Sequence, residues 1–191
     1  MVRAVLQGGK LKVVGATVVA LFAGAGVALA TFQPTVSYNP PLIEVRDHPS
    51  HLSVEDITVR RAGNDFTITN KTSPSTTDPG SDPGCTFITD GVSCPRAGVE
   101  KIVVFLGAED DDADIKLGKS ADKVKQILKG QDGEDGLQGG NGSQKLVGGD
   151  NNDLLIGGAG RDILLGGAGE DACNGGPGKD IVKGCELGPV R

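Results

Sequence analysis

The sequence predicts an all-β chain of short strands wound over tight turns, and three observations predict it. From Gly130 to Lys183 the chain divides into six consecutive nine-residue units: GQDGEDGLQ, GGNGSQKLV, GGDNNDLLI, GGAGRDILL, GGAGEDACN and GGPGKDIVK. Glycine recurs at positions 1, 2 and 4 and aspartate at position 6, so six residues make a tightly curved turn with inward carbonyls and a carboxylate. Positions 7 to 9 suffice only for a short strand, with position 8 on one face and positions 7 and 9 on the other. Position 8 reads Leu137, Leu146, Leu155, Leu164, Cys173 and Val182, the expected inner row.

In chain order, the first element is basic and then apolar. Arg3, Lys10 and Lys12 precede a run from Val13 to Ala30 without a charge, closing on Ala28-Leu29-Ala30 before Thr31. This is the layout of a secretory signal peptide over residues 1–30. The rival reading is an uncleaved anchor; the run falls slightly short of the ~20 apolar residues a span needs, and Gly15, Gly24 and Gly26 interrupt it. Cleavage would remove three of the 19 basic residues and none of the 25 acidic ones, taking the net charge from −6 to −9. So acidic a chain is unsuited to nucleic acid or to an anionic membrane, and no Lys/Arg cluster with aromatics argues otherwise. It suits cations, and the expected location is extracellular.

Residues 31–52 carry Pro34, Pro40, Pro41 and Pro49 and read as an extended connector. A β-rich front segment follows over 53–129. Ile57, Val59, Phe66 and Ile68 alternate with polar residues on either side of Ala62-Gly63-Asn64-Asp65, a turn between two strands. Residues 72–84 read as a loop. Cys85 and Cys94 bracket TFITDGVS, two β-favouring strips around Asp90-Gly91, and an export route would let a bridge persist there. Closing that loop contributes roughly 2.5–3 kcal/mol by chain entropy. A strand is expected at Lys101–Leu106. Residues 107–114, GAEDDDAD, resemble a degenerate earlier turn and read more readily as a solvated acidic loop than as a weak cation site. Residues 117–129 fit either a short basic helix with Val124, Ile127 and Leu128 on one face or an irregular rung of a β-coil; the rung is the preferred reading.

The fourth and sixth units match Gly-Gly-x-Gly-x-Asp-x-U-x, with U a large apolar residue, at every defined place. They resemble the haemolysin-type (RTX) calcium-binding repeat, a resemblance that implies a parallel β-roll with calcium in its turns. The segment 53–129, with its Cys-x₈-Cys loop, resembles more loosely the front of a group of small exported bacterial repeat proteins, which implies one continuous β-coil. In such a coil two units make 18 residues, and the position-6 residues sort into two columns: Asp135, Asp153 and Asp171 on one edge, Gln144, Asp162 and Asp180 on the other. Stacked strands lie about 4.8 Å apart, and two charges that close repel by roughly 3 kcal/mol at an effective dielectric of 20. A hard divalent cation turns the repulsion into a site. Ca²⁺ accepts irregular sets of carboxylates and carbonyls and ranks ahead of Mg²⁺, which wants a tight octahedron.

The expected ligand set is the five aspartates with the turn glycines Gly133, Gly158, Gly160, Gly167, Gly169, Gly176 and Gly178. Full sites are expected between Asp135 and Asp153, Asp153 and Asp171, and Asp162 and Asp180; the Gln144–Asp162 pair lacks a charge. Gln131 and Asn151 stand where glycines belong. Cys173, on the inner row, and Cys185, opening a seventh unit, read as a clasp over the end of the coil, with thiol metal ligation the alternative. Outward Leu154, Ile156, Ile163 and Leu165 fit either β-propensity alone or a surface for self-association or a cell-surface partner.

No catalytic centre emerges. His48 and His51 are the only histidines, and the proline in HPSH opposes a helical metal pair; neither HExxH nor a GxSxG elbow occurs. The expectation is a non-enzymatic, exported calcium-binding protein, structural or adhesive, that folds as it binds. The alternative is an exported hydrolase with its active site in 31–129 and the repeats as a tail.

Overall fold

A computed structural model describes residues 5–7, 10–12, 35–39, 42–46, 56–71, 84–88, 91–118 and 123–186. The chain forms two compact units, Met1–Thr31 and Phe32–Arg191. In the first, β1 (Val5–Gln7) and β2 (Lys10–Lys12) pair antiparallel. The uncharged run 13–30, the histidines and the loop residues 72–83 lie outside the described residues.

The second unit is built from strands alone among its described residues. It opens with β3 (Thr35–Asn39) and β4 (Leu42–Arg46), an antiparallel pair. The hairpin β5 (Asp56–Ala62) and β6 (Asp65–Asn70) turns at Gly63-Asn64, where Gly63 takes a φ of 60°. Next come β7 (Thr86–Ile88) and β8 (Gly91–Pro95), antiparallel and bridged by Cys85–Cys94. The coil proper follows as β9 (Lys101–Ala108), β10 (Asp112–Lys116), β11 (Lys125–Asp132), β12 (Gly136–Gln138), β13 (Gln144–Asp150), β14 (Leu154–Ile156), β15 (Ile163–Ala168), β16 (Ala172–Asn174) and β17 (Ile181–Lys183). Successive strands alternate between two parallel stacks, in spatial order β4-β9-β11-β13-β15-β17 and β5-β10-β12-β14-β16. The front strands thus belong to the same two sheets as the repeats, and the whole is a β-solenoid.

Register explains the core. Leu128, Leu146 and Leu164 align in one sheet, and Leu137, Leu155 and Cys173 in the other. All are buried in a single apolar cluster with Val45, Val104, Ile57, Phe66 and Ile115. Each buried leucine contributes roughly 1.5–3 kcal/mol, so every rung brings its own small share of core. Val182 departs from the expected inner row: it is 45 % exposed. It sits on β17, the last strand of its sheet, and β16, the end of the opposite sheet, lies a half-turn earlier.

Two segments that the sequence left open are settled by pairing. Lys125–Asp132 is a strand flanked by β9 and β13, so the rung reading holds over a helix. GAEDDDAD is not a solvated loop. Asp111 and Ala113 are buried, Asp112–Lys116 is a strand, and the segment stacks beneath the first repeat with a step of 24 residues rather than 18. The six surplus residues fall between β10 and β11.

Candidate metal centre

Successive units place their position-6 side chains on alternate edges of the coil, a carboxylate in every unit but the second, and the backbone decides where each points. Oδ1 of Asp135 accepts the Asp111 N–H at 3.0 Å, Oδ1 of Asp153 that of Asp135 at 2.9 Å, and Oδ1 of Asp171 that of Asp153 at 2.9 Å. On the other edge Oδ1 of Asp162 accepts the Gln144 N–H at 2.8 Å, and Oδ1 of Asp180 the Asp162 N–H at 2.9 Å. These bonds, 18 residues apart between repeats, join the two columns expected from the sequence. Each carboxylate is therefore a rung-to-rung tie as well as a charge.

The second oxygen is where the chemistry lies. Oδ2 of Asp135, Asp153, Asp162 and Asp171 is buried without a hydrogen-bond partner. All four residues are at most 3 % exposed. A buried carboxylate oxygen left unpaired costs roughly 1–3 kcal/mol or more. The cost registers in the acidity of Asp135, Asp153 and Asp162. Burial pushes Asp135 up to about 7 and Asp153 up to about 6, against the lowering effect of the backbone N–H and with neighbouring carboxylates adding to the rise. Asp162 is raised for the same leading reason, with Asp180 contributing.

What these oxygens face is set by position 1 of the unit. A methyl group placed on Gly130 would lie under 3.0 Å from both Asp135 Oδ2 and the Gly148 carbonyl oxygen. The same holds for Gly148 with Asp153 Oδ2 and Gly166 O, for Gly157 with Asp162 Oδ2 and Gly175 O, and for Gly166 with Asp171 Oδ2 and Gly184 O. Four cradles result, each with a carboxylate oxygen and the carbonyl of the next rung converging on space that only glycine leaves free. A fifth, at Gly139, presents Gly157 O and the unpartnered amide oxygen of Gln144. At Gly175 the nearest atoms are those of Asp180, which presents its Oδ2.

The column has a defined beginning. Asp111 stands in register with the position-6 aspartates, but Leu106 stands where Gly130 would be and fills the place with a buried side chain. On the other edge Gln126 and Gln144 are stacked amides, Gln144 Nε2 donating to Gln126 Oε1 at 3.3 Å.

The turn glycines expected as ligands have a backbone reason to be glycine. A Cβ on Gly133, Gly158, Gly160, Gly167, Gly169, Gly176 or Gly178 would collide with a carbonyl of the rung before it. Gly167, for example, adopts a φ of 139° over the Gly149 carbonyl. Gln131 (φ 97°) and Asn151 (φ 75°) hold the same conformations without being glycine. The position-1 glycines Gly130, Gly148, Gly157 and Gly166 were legible as the one fully repeated residue of the unit, yet sequence reasoning named only the others. Asp111 could have been found 24 residues before Asp135. Glu186, which accepts the Asp171 N–H at 3.2 Å, obeys no period.

The donor set fits a hard cation: carboxylate and carbonyl oxygen, with no nitrogen or thiolate. Both sulfur pairs are spent on disulfides, Cys85–Cys94 and Cys173–Cys185. Among the described residues no three acidic, histidine or cysteine side chains meet at one point, so the main chain must supply much of any coordination shell.

A solenoid of parallel rungs, with a buried carboxylate facing a glycine-lined oxygen cradle at four of its turns, has the architecture of a β-roll. Residues 147–182 match four copies of the RTX calcium-binding nonapeptide repeat, so the chain carries repeats of a kind that binds calcium. The units before them lie outside that match but in the same ladder. Comparison with curated proteins and with solved structures yields no match.

Proposed function

We propose that this is an exported, non-enzymatic protein that binds calcium along both edges of its coil and serves a structural or adhesive role. The observation that carries the reading is the row of buried, unpartnered Oδ2 atoms, each facing a carbonyl across a gap kept open by glycine. Bound Ca²⁺ would supply the positive charge that lets neighbouring carboxylates stay ionised at strand spacing. Asp135, Asp153, Asp162 and Asp171 would hold it, with Gly148, Gly166, Gly175 and Gly184 contributing carbonyls. The aspartates' other oxygens keep the rungs tied. Because the cradles exist only when rungs are stacked, binding and ordering of the repeats are one event.

The front segment supports a scaffold role. Two of its acidic residues tie neighbouring segments together: Asp56 pairs with Lys71 at 2.8 Å, and Asp65 accepts from the Ser93 hydroxyl at 2.9 Å. The two disulfides and the net acidity suit an extracellular setting.

Titrating the full chain with Ca²⁺ to ~10 mM, well above the range of extracellular modules, tests the reading. β-sheet circular dichroism should rise with calcium and fall back with chelator, and calorimetry should report several sites. Spectra and heats that never change would refute it. Activity on a hydrolase panel would favour the enzymatic alternative.

A further inference from the structure

The last complete cradle lies outside the repeat pattern. Asp171 is fully buried and its Oδ2 has no partner. The carbonyl opposite that oxygen comes from Gly184, and the acceptor for the Asp171 N–H is Glu186 Oε2 at 3.2 Å. Between the repeats on this edge that acceptor is otherwise an aspartate one rung, 18 residues, further on. Here it is a glutamate only 15 residues on. The longer side chain takes the aspartate's part from a chain that has cut the turn short.

Between those two residues sits Cys185, bridged to Cys173 of the inner row, whose Cα lies 5.8 Å away. Cys173 is 5 % exposed and packed in the core, whereas Ile181, Val182, Lys183 and Gly184 are all exposed. Among the described residues β17 pairs on one side only, through three residues. The bridge is thus the one covalent tie from the core to the segment that bears both oxygens. On the opposite edge, by contrast, the atoms nearest a Cβ on Gly175 all belong to the repeat residue Asp180.

We propose that Asp171, Gly184 and Glu186 form a terminal calcium site made by non-repeat residues, and that the Cys173–Cys185 disulfide holds it assembled. The proposal rests on the calcium reading above. It makes occupancy of this one site depend on the redox state of the protein, while the cradles at Asp135 and Asp153, whose oxygens all lie outside the Cys173–Cys185 loop, do not.

Calorimetric Ca²⁺ titration of the oxidised full chain tests it, alongside Glu186→Gln and the Cys173→Ser/Cys185→Ser double variant. The wild type should exceed each variant by one site, or bind at that site about tenfold or more tightly, the usual scale for losing a supporting group at a metal. Glu186→Gln leaves the core untouched and guards against a folding defect in the cysteine variant. Hydrogen exchange at Asp171–Glu186 should slow with calcium in the wild type and not in Glu186→Gln. Equal stoichiometry and equal affinities in all three proteins, with calcium bound, would overturn the terminal site and leave the repeat sites standing. A wild type that binds no calcium overturns both.

Discussion

Gln144→Asp should destabilise the protein in the absence of calcium and recover that loss in its presence. Gln144 is buried at 3 % exposure, and its amide oxygen, unpartnered, faces the Gly157 carbonyl across the Gly139 cradle. An aspartate there would complete the column with Asp162 and Asp180. Without metal it would put a second carboxylate about 4.8 Å from Asp162, a repulsion of roughly 3 kcal/mol at an effective dielectric of 20. It would also forfeit the Gln144 amide bonds to Gln126 and Asn141. With metal it would add a site, worth about 2.7 kcal/mol at a calcium concentration 100-fold above its Kd. The assay is urea denaturation in chelator and in calcium, with calorimetry for stoichiometry. The variant should be less stable than wild type in chelator, regain the difference in calcium, and bind one more ion. An unchanged stoichiometry, or the same loss in both buffers, would refute the claim that an oxygen cradle needs only charge to become a site.

Asp153→Asn, central in its column, should lower calcium stoichiometry and destabilise the calcium form, yet leave the chelated form unharmed or slightly more stable, because it removes a charge flanked by Asp135 and Asp171; parallel melts in the two buffers decide it. Acidity should act in opposite directions on the two forms. Asp135 and Asp153 titrate at about 7 and about 6 in the metal-free fold, above their unfolded value near 3.9. The folded state therefore holds more protons between pH 4 and 7, and chelated protein should gain up to about 1.4 kcal/mol per pH unit per carboxylate on acidification through that window, losing it as pH rises through 6–7. Calcium affinity should instead fall over the same descent, since the ion must displace those protons. Gln131→Gly relieves a side chain held at φ 97° and, after glycine's entropy cost, should stabilise the repeats by about 1 kcal/mol in urea melts.

The period of nine was enough to place the inner row, the two columns and the 18-residue step, because strand alternation and stacking distance are local consequences of sequence. The departures all come from what a period cannot encode. Asp111 is buried because six extra residues between β10 and β11 restore its register, and an insertion erases periodicity without erasing stacking. Leu106 shuts its cradle because a rung at the front can be closed by packing where a repeat rung is kept open by glycine. Val182 is exposed because its environment depends on a rung that does not follow. Glu186 reaches the Asp171 amide from an aperiodic tail through a disulfide whose pairing the spacing alone left open.

These departures share a direction along the coil. At the front, Ile43, Ile57, Phe66, Ile68, Ile102, Leu106 and Ile115 are all buried, several side chains per rung, and the position-6 places carry Asp111 beneath a leucine and the amides of Gln126 and Gln144. Order there is secured by apolar burial and one disulfide, independent of metal. Towards the C-terminus the core thins to one leucine or cysteine per strand, while orphan carboxylate oxygens multiply. Each repeat rung therefore has little apolar area to set against chain entropy, and on the proposed reading an ion at its edge supplies the rest. On that reading the front is a preformed end on which the repeats stack as calcium arrives, rung by rung. The second disulfide makes the far end the exception: it limits the freedom of the last rungs before any ion binds, so ordering is favoured from both ends and the rungs most dependent on calcium are those between.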